Sequence, residues 1–240
     1  NLEANLRAVQ EFAQEYGIKN PPVGMSTTYG YEAMSQVQRV FRFKPGDDVT
    51  RRREEGLIAG FDDMNLICGK KGSTYYNVWA LPHLDHADAK DEEWVWKKYI
   101  NDFATVMVDA SLKNRSSEEN ANLVQKIVEI YGKHIVIEGA LQKPSAEGKF
   151  EAVKLTEDDD SYAQSAKEYV SKTGVDLVVV ELGSKHRALG WADYNSARAK
   201  RVTEELGKPM IVLHGGSSIP LEQQATFADD GIIRFNIWTR

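Results

Sequence analysis

Four of the five histidines follow short apolar runs: His83 and His86 in VWALPHLDH, His186 in VDLVVVELGSKH and His214 in PMIVLHGG. Apolar runs of that length read as buried parallel strands, and in a β/α barrel the carboxyl ends of the strands converge on one mouth. Three neutral imidazoles gathered there make a zinc site with one position left open for substrate. The fifth, His134 in YGKHIVIEG, precedes its run, which predicts a structural or surface histidine at the opposite end.

Within HLDH, Asp85 stands directly beside a potential ligand. Past a strand end the backbone turns, so both side chains can face the mouth. His86 can then bind metal while Asp85 acts as acid and base on the bound substrate. Two hydrogen-bonded histidines at a strand end would read the same way. In LHGGSS, two glycines after His214 allow close backbone approach. Successive N–H groups followed by Ser217 suggest an anion cradle, against the plainer reading of a glycine turn before a helix. Barrels commonly bind phosphate in the loops after the seventh and eighth strands. The last run ends FNIWTR, placing Asn236 and Thr239 nearby as hydrogen-bonding partners for a sugar phosphate.

Apolar runs alternate with amphipathic stretches along the whole chain, the pattern of a β/α repeat. Strands are expected at 21–25, 77–82, 104–109, 134–139, 176–182, 209–214 and 231–236. Helices are expected at 4–16, 92–100 and 117–131, the last entered through SSEEN with a serine cap and acidic first turn. Pro220 reads as a helix start. The polar stretch 143–160 is expected to be a loop on the catalytic face. With a helix first and seven strands, the expected fold is a (β/α)8 TIM barrel forming a single domain over 1–240, beginning just after the first barrel strand.

Composition is ordinary for a globular protein, with 42% hydrophobic and 28% charged residues over 240 positions. No apolar stretch approaches the length of a membrane span, and no secretory segment opens the chain, so a soluble cytoplasmic protein is expected. A net charge of -6 gives no support for nucleic acid binding, and Arg51 to Arg53, followed by Glu54 and Glu55, read as a solvated helix face. The lone Cys68 excludes an internal disulfide and reads as a core thiol.

The ordered set PPVGMSTT, ALPHLDH, TVMVDAS with SEEN, VIEG, TGVDLVVVELGSKH, PMIVLHGGSS and IIRFNIWT resembles the class II, metal-dependent fructose-bisphosphate aldolases and their tagatose-bisphosphate relatives. The resemblance runs from about residue 4 to 239. It implies that His86, His186 and His214 hold one catalytic Zn2+, and that Asp85 is the acid/base residue. Asp109 and Glu138 would be secondary ligands, with room for a second divalent or a monovalent cation. Gly215, Gly216 and Ser217 match the phosphate loop, with Gly183 and Ser184 near it. Asn236 matches a catalytic substrate contact, Thr239 a phosphate contact, and Thr28 (or Thr27) a hydroxyl position after the second barrel strand. The implied reaction is reversible cleavage of a ketose phosphate or bisphosphate through a zinc-stabilised enediolate, without a Schiff-base lysine. The implied setting is carbohydrate metabolism, including glycolysis, in a homodimer or larger homo-oligomer.

The chain departs from the family pattern in places. Ala140 stands where the fifth strand carries a second carboxylate. KPSAEGKFEA replaces the glycine-rich acidic segment, leaving Glu147 or Glu151 as candidates for its glutamate. Arg187 follows His186, and Trp238 follows Asn236 by two. These changes keep two alternatives open: a metal-dependent sugar or sugar-acid epimerase or isomerase, and a divergent barrel without catalysis.

Overall fold

The structure is a computed structural model that describes residues 2–29, 48–88, 93–110, 115–142, 155, 157–185 and 190–237. The residues group into two compact units, one formed by 1–87 with 91–107, the other by 88–90 with 108–240. Strand and helix alternate along both, and the seven strands among the described residues fit an incomplete (β/α)8 barrel.

In the first unit, helix α1 (Leu2–Glu15) buries Leu6 and Ala13. Strand β1 (Pro22–Thr27) pairs in parallel with β2 (Trp79–Ala87), in a register from Pro22 opposite Trp79 to Thr27 opposite Leu84. Helix α2 (Val49–Met64) starts where the Asp48 carboxylate accepts from the Thr50 and Arg51 N–H groups, and it ends in a π turn, Asn65–Gly69. Leu6, Met25, Met64, Cys68, Tyr75 and Val78 form one core cluster. Cys68 is buried there, which raises its thiol pKa and fits an inert core residue. Arg51 is exposed and pairs with Glu55 at 2.9 Å, whereas Arg52, Arg53 and Glu54 are half-buried, so the charge run is a solvated face only in part. In α3 (Glu93–Lys98) Val95 and Trp96 are buried, while Trp94 meets Tyr29 and Tyr99 edge-on. A 3-10 turn, Ile100–Asp102, then leads into β3 (Thr105–Val108).

The second unit runs α4 (Ser117–Tyr131), β4 (Val136–Ala140), α5 (Asp159–Thr173), β5 (Leu177–Val179), α6 (Ser196–Leu206) and β6 (Ile211–Leu213). A 3-10 turn (Gly216–Ser218), a short α7 (Leu221–Gln224) and β7 (Ile232–Phe235) complete it. β4 pairs in parallel with β5, β5 with β6 and β6 with β7, with a shift of register at Ile211/Val212 in the last pair. The cap of α4 is a reciprocal box: Ser116 accepts from the Glu119 N–H, and the Glu119 carboxylate accepts from the Ser116 N–H. Asn120, on the buried face of α4, donates to the Ala140 carbonyl at 2.9 Å and so ties the helix to the end of β4. Helix α5 lies against α6, where buried Arg198 pairs with Asp159 at 2.6 Å and lies over the Tyr162 ring at 4.4 Å.

Two expectations change. The HLDH motif lies inside β2, which continues to Ala87, and not past the end of a strand closing near residue 82. Helix α5 begins at Asp159, within the stretch expected to be loop; residues 143–154 and 156 lie outside the described residues. His134 is exposed, as its position before β4 predicts. Among the described residues, no helix is long and apolar enough to cross a membrane.

Candidate active site

In the first unit the chemistry sits on one strand. Side chains of a β-strand alternate between faces, so His83 and Asp85 on β2 share a side while His86 should oppose them. His86 breaks the alternation with a left-handed backbone, φ 54°. A non-glycine residue seldom adopts that conformation unless its surroundings hold it there. His86 Nε2 stands 3.9 Å from Asp85 Oδ1, and His83 Nε2 stands 3.8 Å from the same oxygen. Both imidazoles are buried, while Asp85 keeps partial access to solvent. The His83 ring is fixed from its other side by Thr105 on β3, whose hydroxyl lies 2.7 Å from Nδ1. Thr28, buried, comes one residue after the Thr27–Leu84 pairing.

The second unit brings together the ends of β4, β6 and β7. Glu138, fully buried, places Oε1 2.8 Å from His214 Nε2, and the Asn236 amide lies 3.1 Å from the same nitrogen. The other Glu138 oxygen pairs with the Arg234 guanidinium. Asp109, fully buried, follows β3 directly. Burial, reinforced by the Asp109 charge, pushes the Tyr169 phenol far above its ordinary range. The same Tyr169 hydroxyl lies where a side chain at Gly139 would be, which keeps β4 close to α5.

Around His214 the loop is tied down by hydroxyls. Ser184 donates to the His214 carbonyl at 2.5 Å, and Ser218 donates to the Gly215 carbonyl while accepting from the Lys185 N–H. Gly215 is left-handed, φ 71°, which turns the chain sharply after β6. The expected run of free N–H groups is narrower than the sequence suggests. Gly216 N–H already donates to the Asn236 carbonyl and Ser218 N–H to the Gly215 carbonyl. Gly216 and Ser184 are buried and Ser217 is half-buried. Gly183, φ 91°, has no room for a side chain, since a Cβ would lie 2.1 Å from the Asp193 carbonyl oxygen.

His186, Arg187, Trp238, Thr239, Glu147 and Glu151 lie outside the described residues. Two contacts escape sequence reading. Thr105 holds His83 without any motif to announce it. Arg234 does leave a signal, a charged residue inside the apolar run GIIRFN and two positions before Asn236.

Residues 63–240 match the family model described as "Fructose-bisphosphate aldolase class-II". The chain belongs to the class-II fructose-bisphosphate aldolase family. Among curated relatives, a fructose-bisphosphate aldolase of Giardia intestinalis is 31% identical over 147 residues, covering 58% of this chain and 42% of the relative. One from Geobacillus stearothermophilus is 29% identical over 192 residues, covering 76% and 62%. The matches thus span less than two thirds of the length of these curated relatives. Among solved structures, the YdjI aldolase of Escherichia coli K12 superposes with a TM-score of 0.58 at 22% identity, covering 98% of this chain and 70% of that one. The fructose-bisphosphate aldolase of Campylobacter jejuni does so with a TM-score of 0.63 at 20% identity, covering 97% and 67%. Both show the barrel fold.

Class-II aldolases are generally metal-dependent, and the donor chemistry of each unit fits a divalent cation. Imidazole with carboxylate is a set that zinc accepts. Asp85 and His86 supply one of each in the first unit, and in the second His214 supplies an imidazole whose Nε2 is hydrogen-bonded to Glu138.

Proposed function

We propose that this chain, as a single β/α barrel domain over 1–240, carries the active site of a metal-dependent aldolase that reversibly cleaves a ketose phosphate or bisphosphate. Family membership supports the reaction class, and the observation that carries the reading is Asp85 beside His86 at the left-handed bend of β2. His86, His186 and His214 hold one Zn2+, with Asp109 and Glu138 as secondary ligands. When bound, the cation supplies Lewis-acid polarisation of a carbonyl and offsets the negative charge that carbon–carbon cleavage develops.

Asp85 takes the proton from the substrate hydroxyl in cleavage and returns it in condensation. Its partial exposure suits this role, because a carboxylate that exchanges protons with substrate must be reachable. Asn236, held at the end of β7 next to His214, donates to a substrate oxygen. Gly183, Ser184, Gly215, Gly216, Ser217 and Thr239 bind the phosphate, and Thr28 contributes a hydroxyl from the end of β1. The protein would work in the cytoplasm as a homodimer or larger homo-oligomer, in carbohydrate metabolism including glycolysis. Its partner is a small sugar phosphate, with no nucleic acid or membrane.

The test is a panel of mono- and bisphosphorylated ketoses assayed for triose release, with and without chelator. Activity should vanish with chelator and return with zinc. Asp85→Asn should lower kcat by about 10²–10⁴-fold while zinc content stays unchanged. Full activity in Asp85→Asn, or activity indifferent to metal, would overturn the proposal. Deuterium entering the ketose without fragmentation would point instead to an epimerase.

A further inference from the structure

We infer that Arg234 is a positioning residue: its guanidinium pins the buried Glu138 carboxylate against His214 Nε2, so that His214 presents Nδ1 to the metal. The inference deepens the proposed function and rests on it.

Glu138 is fully buried on β4, in the interior of the second unit. A carboxylate there is costly unless it is paired and hydrogen-bonded. Its two oxygens meet different partners, Oε1 the His214 ring at 2.8 Å and Oε2 the Arg234 guanidinium. An arginine is always charged and its planar fork matches a carboxylate. Arg234 therefore supplies the compensating charge and fixes the direction in which Oε1 points.

That direction decides the tautomer of His214. A carboxylate only accepts, so a 2.8 Å contact with a neutral imidazole requires the proton on Nε2. The Asn236 amide at 3.1 Å agrees once its oxygen faces the ring, since amide oxygen and nitrogen are interchangeable on geometry alone. Ser184 holds the backbone of the same residue through the His214 carbonyl. A neutral imidazole bound through one nitrogen commonly donates its other N–H to a carboxylate, which sets ring orientation and ligand basicity. Arg234 and Asn236 lie two apart at the carboxyl end of β7, so one strand reaches the Glu138–His214 pair through both residues.

The experiment measures Zn2+ affinity by chelator competition, and the His214 tautomer by 15N NMR of metal-free, histidine-labelled protein. The resonance is assigned by its loss in His214→Gln. Arg234→Met should weaken zinc binding by about 10–100-fold and lose the single Nε2–H form. Arg234→Lys, which keeps a cation, should retain most of both. If Arg234→Met fails to fold, Glu138→Gln combined with Arg234→Met removes both buried charges. That double variant should fold and bind zinc more weakly than the wild type. Wild-type affinity in Arg234→Met or in a folded double variant, or an Nδ1–H tautomer in the wild type, would overturn this inference alone. A wild-type protein that binds no zinc would overturn it together with the proposed function.

Discussion

His86 is the residue at which backbone and chemistry meet. A left-handed conformation costs a non-glycine residue roughly 1–3 kcal/mol, which the packing around β2 must hold in place. Asparagine tolerates that conformation better than most residues, whereas a β-branched side chain is a true outlier there. His86→Val should therefore be less stable than His86→Asn by about 1 kcal/mol or more in urea denaturation, although neither keeps the imidazole. Gly183→Ala should cost about 2 kcal/mol or more, because φ 91° and the Asp193 carbonyl oppose the added Cβ together. The proximity of Asp85 to His83 and His86 was legible, since HLDH sets the aspartate between two histidines. The geometry of that motif was not legible. The sequence pattern placed the turn after the strand, while the structure bends at His86 within it, and a single φ set by tertiary packing leaves no trace in periodicity. Arg234 was missed for a related reason: a lone charge in an apolar run gains its meaning only from the buried Glu138 it meets.

At the level of elements, all seven strands fall where the apolar runs predict, with ends displaced by a few residues. Helices α1, α3 and α4 were also visible. Helices α5 and α6 were not, and α2 showed only in the charge run Arg51 to Glu55, because their buried faces are not built from large aliphatic residues alone. Helix α2 opens with charges, α5 packs through Tyr162, Ala163, Ala166 and Tyr169, and α6 buries Arg198 beside Ala199 and Val202. The capping box of α4 was readable from SSEEN, and Ser116→Ala should cost about 1 kcal/mol by thermal or chemical denaturation.

The segment entering β7 is tied to α6 by Asp230, a fully buried carboxylate that accepts from Tyr194 at 2.7 Å and Thr226 at 2.9 Å, with Lys200 at 3.4 Å. Burial raises its pKa, but hydrogen bonds from Tyr194, Ser196, Thr226 and Lys200 together outweigh burial and leave it below the ordinary carboxylate value. A depressed folded-state pKa stabilises the fold above the unfolded value, about 3.9, and that contribution is lost as pH falls through the folded value. Asp230→Asn should lower stability by about 1–3 kcal/mol at neutral pH. The gap from the wild type should close in denaturation curves taken below about pH 4.

For the molecule as a whole, a cation held only by the folded chain adds its binding energy to folding. Zinc at 100 times its Kd should stabilise by about 2.7 kcal/mol, so chelator should lower the thermal midpoint and added zinc restore it. A midpoint indifferent to both would count against a metal held by the native fold. The fold class was legible because strand and helix alternate throughout, and the family match over 63–240 agrees with the ordered motifs. In the second unit, β4, β5 and β6 each pair with the next strand in the chain. That order has a consequence for how the chain acquires its shape during synthesis. Each pairing spans one crossover, Glu138 to Leu177 between β4 and β5 and Val178 to Ile211 between β5 and β6, so β4 can engage β5 before β6 and β7 have been made. A substitution that weakens the β4–β5 step should then delay assembly early, whereas one at the β6–β7 step acts only once the rest of the unit exists.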